Sequence, residues 1–413
     1  MTFTLHVDAD LWRANATSVR DAINTALAED EGTRGLVPVI KGNGYGLTKP
    51  RLAREAASLG VDAVAVGTPY EVHDVAQEFD GDILVLQPWD PRDQLATRVW
   101  EDLHARLSMR VIRTVASTDV LHRLAAEATS PVSVVLEGLT SMRRFGLAEA
   151  DLDALMADTT IRHALRDGRI DIRGAALHLP MTQPSSPSLA TLGDGSNRTP
   201  ESASNRVREA WGWAAIWIRA LAAMDSSGVP LQETAATIWV SHLDDSEIAD
   251  LRTALPTVPI RLRIGTRLWL GEPTSLQAYG TVLAVNPVER GRELGYRQRR
   301  APKDGYIVVI GGGTAHGVGM AAPAAATSIR QRAISAATGA LEAVGRARSP
   351  FTWAGKHRWF AEPPHMQVSL IWLSEDDVRE ALAAGHRTPI TGDQWACRVR
   401  HTTASFDWIL GLD

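Results

Sequence analysis

Between residues 36 and 265 one pattern recurs: a short apolar, β-branched run, then a longer stretch in which apolar side chains return every three or four positions. Runs of the first kind read as strands and stretches of the second as amphipathic helices. The strand candidates are Leu36–Lys41, Ala63–Gly67, Ile83–Gln87, Arg110–Thr114, Val132–Gly138, Arg173–His178, Thr237–Ser241 and Ile260–Gly265. Helical stretches between them include Pro50–Leu59, Tyr70–Phe79, Pro91–Leu107 and Arg206–Met224. Near-continuous apolar strands alternating with helices are parallel strands buried on both faces. Eight such units in roughly 230 residues predict a closed (β/α)8 barrel, with an open doubly wound sheet as the alternative.

The rhythm breaks twice. Met181–Asn205 is rich in Pro, Ser, Thr and Gly and has no apolar period. It reads as a long loop after the sixth strand, either an active-site loop or a surface insertion. Beyond residue 273 the strand candidates are Gln277–Val288, Tyr306–Ile310 and Gln367–Leu373, and one helix is expected at Ala324–Arg346. The prediction is an α/β protein: a (β/α)8 barrel over residues 8–273, then a mainly β C-terminal domain over residues 274–413. Residues 1–7 are expected to add a strand to that second domain.

Composition narrows the function classes. The 413 residues are 45% apolar and 22% charged, ordinary for a folded chain. The net charge of −5 is spread without long runs of either sign, which argues against nucleic acid or a membrane surface as partner. No stretch of about 18 apolar residues is present to span a bilayer. The segment Met1–Asp10 lacks the basic start and apolar core of a signal peptide. Cys397 is the single cysteine, so neither an intrachain disulfide nor a multi-cysteine metal site is expected. These features point to a cytoplasmic protein that acts on a small molecule without a metal.

In such a barrel the chemistry sits where strands end. Here Lys41, Glu137, His178, Ser241 with His242, and Arg263 fall at or beside strand ends, so five of the eight strands finish on an ionisable group. The apolar run Leu36–Ile40 delivers Lys41 to the mouth. An ammonium partly stripped of water there has a lowered pKa and suits Schiff-base chemistry. A lysine that merely snorkels to water at the rim is the bland alternative.

The residues after Lys41 sharpen this. Val39-Ile40-Lys41-Gly42-Asn43-Gly44-Tyr45-Gly46 resembles the lysine signature of the alanine racemase family, Val-Lys-Ala-Asn-Ala-Tyr-Gly. Val7-Asp8 with Asn15 resembles the family's opening segment, and Leu52–Glu71 its first barrel helix and second strand. Members are pyridoxal-phosphate barrel enzymes with a C-terminal β domain. The resemblance implies that Lys41 carries pyridoxal 5'-phosphate and that Tyr45 touches its phosphate. The family's two alanines are Gly42 and Gly44 here, which is expected to loosen the loop.

Further patches follow. Glu137-Gly138-Leu139-Thr140-Ser141-Met142-Arg143-Arg144-Phe145-Gly146 is similar to the family's Lys-x-Asp-Thr-Gly-Met-x-Arg-x-Gly. By that match Arg144 contacts the cofactor's phenolic oxygen and the substrate carboxylate, as a guanidinium fork can. Glu137 falls on a lysine that is carbamylated in some members, so it is expected to supply the same negative charge unmodified. Leu139 replaces the family aspartate. His178 matches a histidine beside the cofactor ring. Where the family has Asn-Ser for phosphate, this chain has Ser241-His242, and either side chain can take the role. Arg263-Ile264-Gly265-Thr266 resembles Arg-x-Gly-Ile, which places Arg263 at the pyridine nitrogen and the Gly265 and Thr266 amides at the phosphate. Arg261 and Arg267 are the neighbours that a register error would put in Arg263's place.

Racemisation needs an acid–base group on each face of the Cα centre. Lys41 serves one face. Gly295-Tyr296 resembles the family's Gly-Tyr-Gly, which makes Tyr296 the second base, reaching a partner subunit's barrel and implying a homodimer. Met366 matches a substrate-entrance methionine, whereas Gly311–Gly317 lacks the family's entrance tyrosine. That loss is expected to widen the entrance. The expected activity is a two-base amino-acid racemase for alanine or something larger. The alternatives are a related barrel decarboxylase or aldolase, and a catalytically silent pyridoxal-phosphate-binding homologue.

Overall fold

The computed structural model describes residues 2–28, 35–184, 203–320 and 347–412. The expected helix Ala324–Arg346 and the centre of the expected loop Met181–Asn205 lie outside the described residues. By contacts the chain divides into two compact units, one of Ala14–Gly44 and Thr48–Gly271, the other of Met1–Arg13, Tyr45–Leu47 and Glu272–Asp413.

Strand β1 (Phe3–Val7) belongs to the second unit. The first is built on β2 (Leu36–Pro38), β3 (Ala63–Val66), β4 (Asp82–Val85), β5 (Val111–Val115), β6 (Val132–Gly138), β7 (Ile170–His178), β8 (Ile238–Ser241) and β9 (Ile260–Ile264). All eight are parallel, in the order β2-β9-β8-β7-β6-β5-β4-β3. A parallel bridge from Val39 to Ala65 joins the two ends of that order, so the sheet is a (β/α)8 barrel and the open-sheet alternative is excluded. Helices follow the strands, including Lys49–Ser58, Gln94–Leu107 and Asn205–Ser226. The last starts where the Ser204 hydroxyl accepts the Val207 amide at 3.2 Å, an N-cap. The helical stretch expected over Tyr70–Phe79 is instead a 3-10 turn, Pro69–Glu71, followed by the short helix Val72–Ala76.

Inside the barrel, Val37, Val39, Ala63, Ala65, Leu84, Ile112, Val135, Ala176 and Trp239 form one apolar cluster. The side-chain period of a strand is two. The next inward layer towards the strand ends is therefore Lys41, Gly67, Leu86, Thr114, Glu137, His178, Ser241 and Arg263. Apolar filling below drives the ring together, and the period alone lifts a chemically active set to its mouth.

The second unit is mainly β. Leu276–Val288 pairs antiparallel with β1 and with Gln394–Cys397 through its first half, and with Gly305–Gly311 through its second. Val368–Ser374, Lys356–Phe360 and Arg348–Trp353 complete a six-strand ring, extended at one edge by β1 and the parallel strand Trp408–Leu410. Phe3, Val282, Val308, Phe351, Ile371 and Trp395 are in its core. This unit also contains a helix that the apolar pattern does not show, Glu375–Ala383. Its signal is local and polar: Ser374 and Asp377 form a capping box, with the Ser374 amide donating to Asp377 Oδ2 at 2.9 Å.

Candidate active site

Lys41 leaves the buried run Leu36–Ile40 and emerges exposed at the barrel mouth. Among the described residues its ammonium has no hydrogen bond or ion pair. Partial desolvation of the ammonium by the surrounding mouth pulls its pKa down first, and Arg144 and Arg263 add to this against the opposing pull of Glu71. The chain then turns sharply, with positive φ at Gly42, Gly44, Tyr45, Gly46 and Thr48. A Cβ on Gly44 would lie 2.6 Å from the Lys49 amide nitrogen, so glycine there permits a close backbone approach. The Gly42 amide donates to Glu71 Oε1 at 2.9 Å, and Lys49 Nζ donates to the Gly42 carbonyl at 3.2 Å. Tyr45 is buried and belongs by its packing to the C-terminal unit.

Two buried ionisable groups, Arg263 and Glu137, influence each other electrostatically, and each keeps one atom without a hydrogen-bond partner. Arg263, 6% exposed, donates to the Leu177 carbonyl at 2.6 Å, while its Nε has no partner. Burial brings its pKa to about 10, with Glu137 opposing that shift. Glu137 is 2% exposed and its Oε2 has no partner either. Burial pushes this carboxyl up, against Arg263 and then Arg144. An unsatisfied buried donor and acceptor at one mouth are costly to the apo fold and fit a polar ligand with several hydrogen-bonding atoms. Arg261 and Arg267 are engaged elsewhere. Arg261 binds Asp62 through both terminal nitrogens at 2.9 and 2.8 Å, and Arg267 binds Asp245 likewise at 2.5 and 2.7 Å.

His178 Nδ1 lies 3.2 Å from the Ser241 hydroxyl, and the His178 and His242 rings meet edge to face at 5.0 Å. Burial first, and Arg263 next, depress both imidazoles, His178 to about 3 and His242 to about 4. Both are neutral at physiological pH. His242 carries φ 64, a left-handed conformation uncommon outside glycine. Gly265 and Thr266 open a short helix, Thr266–Leu270, whose first amides have no intrahelical acceptor. Asn15 Nδ2 donates to the Leu268 carbonyl at 2.9 Å and so anchors that turn.

Arg144 is exposed and lies over the Phe145 ring at 5.3 Å. Its loop is fastened at the base, where the Leu139 amide donates to Leu147 and the Leu147 amide to Glu137, at 2.9 and 2.8 Å. Gly146 (φ +135) is obligatory there, because a Cβ would sit 2.4 Å from the Gly138 and Leu139 backbone.

Two carboxylates that shape the mouth do not stand out from the residue pattern. Glu71 collects the amides of Gly42, Gly67 and Thr68, tying the lysine loop to the end of β3. Its signal was available: Thr68-Pro69-Tyr70-Glu71 is a capping box. Glu209, fully buried on the helix Asn205–Ser226, accepts the Ser141 amide at 2.5 Å and the Ser141 hydroxyl at 2.6 Å. A lone acid on the apolar face Val207–Ala210–Trp213–Ala214–Trp217 was the clue. With Leu at 139, the Arg144 loop is held by Glu209 and by its own backbone.

In the C-terminal unit Tyr296 and Met366 are 83% and 70% exposed. Both line a cavity of about 640 Å³, with Arg297, Thr314, Glu362 and His365. The glycine run Gly311–Gly317 serves backbone packing. A Cβ at Gly312 would meet the Phe3 ring at 2.6 Å, and one at Gly313 the His365 carbonyl at 2.2 Å. Among the described residues no cluster of three metal-ligating side chains occurs, and no helix is long and apolar enough to cross a membrane.

A lysine, two arginines, a buried glutamate and a neutral histidine at or just beyond its strand ends place the first unit in the class of (β/α)8-barrel proteins with a cationic strand-end site. The family model for the alanine racemase N-terminal domain matches residues 7–244. The chain belongs to the alanine racemase family. It is 28% identical over 284 residues to an alanine racemase of Nitratidesulfovibrio vulgaris, covering 68% of each chain. It is 29% identical over 155 residues to one of Mycolicibacterium vanbaalenii, covering 37% of each. Among solved structures it resembles an alanine racemase from Bartonella henselae with covalently bound pyridoxal phosphate, at TM-score 0.60 and 14% identity, covering 98% of this chain and 96% of that one. The alanine racemase of Streptomyces lavendulae aligns at TM-score 0.57 and 17% identity, over 97% of this chain and 88% of that one.

Proposed function

We propose that this protein is a pyridoxal-phosphate-dependent amino-acid racemase, an isomerase for alanine or a larger amino acid, with Lys41 carrying the cofactor. The observation that carries the reading is an unpaired lysine, its pKa lowered mainly by burial, at the first strand end of a barrel of this family. When bound, pyridoxal phosphate acidifies the Cα proton of an amino acid joined to it. The residues present fit that group in kind. Tyr45, Ser241 or His242, and the amides of Gly265 and Thr266 offer donors for the phosphate. Arg263, cationic and buried, would stand at the pyridine nitrogen and disfavour a proton there. His178, neutral, would lie beside the cofactor ring. Arg144 holds the substrate carboxylate, with Glu137 supplying the balancing charge and Met366 bordering the substrate entrance.

Lys41 exchanges the Cα proton on one face and Tyr296 on the other. We assign the cofactor to a barrel domain of residues 8–273. Tyr296 lies in a mainly β domain of residues 274–413 with residues 1–7, and acts on a partner subunit's barrel in a cytoplasmic homodimer. The decarboxylase reading needs a reactive thiol. Cys397 is buried and burial pushes its thiol up, which supports the racemase instead.

Two measurements test the proposal. Purified protein supplied with pyridoxal phosphate is expected to be yellow and Lys41→Ala colourless. A wild type that binds none overturns the assignment. In deuterated water with a panel of amino acids, Tyr296→Phe is expected to keep the cofactor but lose most Cα exchange from one enantiomer. Unchanged exchange from both removes Tyr296 from its role.

A further inference from the structure

Tyr296 sits at a poor place to hold a ring still. It lies in the turn between the two-residue strands Glu293–Leu294 and Arg299–Arg300, and 83% of it is exposed. An aromatic ring so placed loses rotamer entropy when it is fixed for a reaction, unless other contacts have already fixed it.

Those contacts are present within the C-terminal unit. Glu362 is 2% exposed and its Oε1 is a shared acceptor. The Tyr296 amide donates to it at 3.2 Å, and His365 Nε2 lies 2.6 Å from the same oxygen. The His365 ring in turn covers the Tyr296 ring, with centroids 4.3 Å apart and planes inclined by 36°. His365 is itself anchored in the β ring. Its amide donates to the Val368 carbonyl at 2.9 Å, and its carbonyl accepts the Thr314 amide at 2.8 Å. Gly295 makes the approach possible: it has φ +66, and a Cβ there would lie 2.3 Å from the Glu362 carboxylate. A buried carboxylate reached by a backbone amide and an imidazole is satisfied rather than a liability.

We propose that Glu362 and His365 are positioning residues for Tyr296, a brace that holds both its backbone and its ring at the wall of the 640 Å³ cavity. The inference rests on the reading of Tyr296 as the second proton-exchanging group. Because Glu362 is buried, its variants risk misfolding, so His365 carries the test. The chain has five tyrosines, which makes ring-labelled tyrosine resonances assignable, with Tyr296→Phe identifying the one of interest.

In His365→Ala the Tyr296 ring resonances are expected to shift and average, with and without pyridoxal phosphate. Cα exchange from the Tyr296-dependent enantiomer is expected to fall roughly 10- to 100-fold with KM little changed, the scale of a misplaced reacting group. His365→Phe keeps a stacked ring without the Glu362 contact and is expected to recover part of both. Unmoved Tyr296 resonances and unchanged exchange in His365→Ala overturn the brace. If Tyr296→Phe leaves exchange from both enantiomers intact, the catalytic reading of Tyr296 fails, and the resonances still decide whether the brace exists.

Discussion

At the barrel mouth the dominant influence on charge is desolvation. Burial is the first cause of the shifts at Lys41, Glu137, His178, His242 and Arg263 alike. In the C-terminal unit the ring of interest, Tyr296, is open to water, and hydrogen bonds and stacking organise it instead. The contrast separates two ways of preparing a reactive group. A barrel interior changes which protonation state a side chain prefers, whereas a solvent-facing turn can only fix where a side chain stands. Substitutions at the mouth are therefore expected to change spectra, pH dependence and stability, and those around Tyr296 to change the exchange of one enantiomer.

The largest effect expected is at Lys41. Lys41→Ala should abolish both the visible absorbance and all Cα exchange, because the neighbouring amine, Lys49, is tied to the Gly42 carbonyl and paired with Asp74. Retained exchange from either enantiomer would break the division of labour between the two regions.

Next comes Glu209→Ala. It strips the Ser141 amide and hydroxyl of their buried acceptor, at a cost of about 1.5–3 kcal/mol for hydrogen bonds to a charged group. Urea unfolding should show that loss, and weaker substrate binding through the loosened Arg144 loop should accompany it.

The pH dependence comes third, with its sign set by each group. The folded pKa values of His178 and His242 lie below the ordinary 6.5. Their neutral burial therefore stabilises the fold above that pH, and the contribution is lost as pH falls through about 4 and about 3. Glu137 runs the other way. Its folded pKa lies above 4.5, so its contribution is complete below that value and lost as pH rises through the folded one. Unfolding followed across pH should show less acid loss in His178→Gln, and a gain at neutral pH in Glu137→Gln. Identical pH profiles for wild type and both variants would contradict desolvation as the controlling influence.

The smallest effect serves as control. Arg267→Ala breaks an exposed pair with Asp245 and should cost under about 1 kcal/mol without altering the cofactor spectrum.

Much of this was legible along the chain. The eight strand candidates all became barrel strands, because a near-continuous apolar run bounded by turns has few other homes in an α/β pattern. The strand-end residues Lys41, Glu137, His178, Ser241 and Arg263 were legible for a related reason, since a period of two carries an inward-facing series from apolar filling to the mouth. The helix Glu375–Ala383 escaped because its evident signal was a polar cap rather than an apolar face.

Linear order alone decided the strand sequence and the place of Lys41 just beyond the first barrel strand, since these depend on neighbours within a few residues. Tertiary structure decided which of three nearby arginines stays unpaired by a carboxylate, that Glu71 and Glu209 fasten two loops, and that Gly44 and Gly312 make room for backbone. It also placed Glu362 and His365 on Tyr296, some sixty-six and sixty-nine positions away in the chain. Contacts of that kind have no local pattern, because hydrogen-bonding partners meet only after packing has removed the water that would otherwise satisfy them.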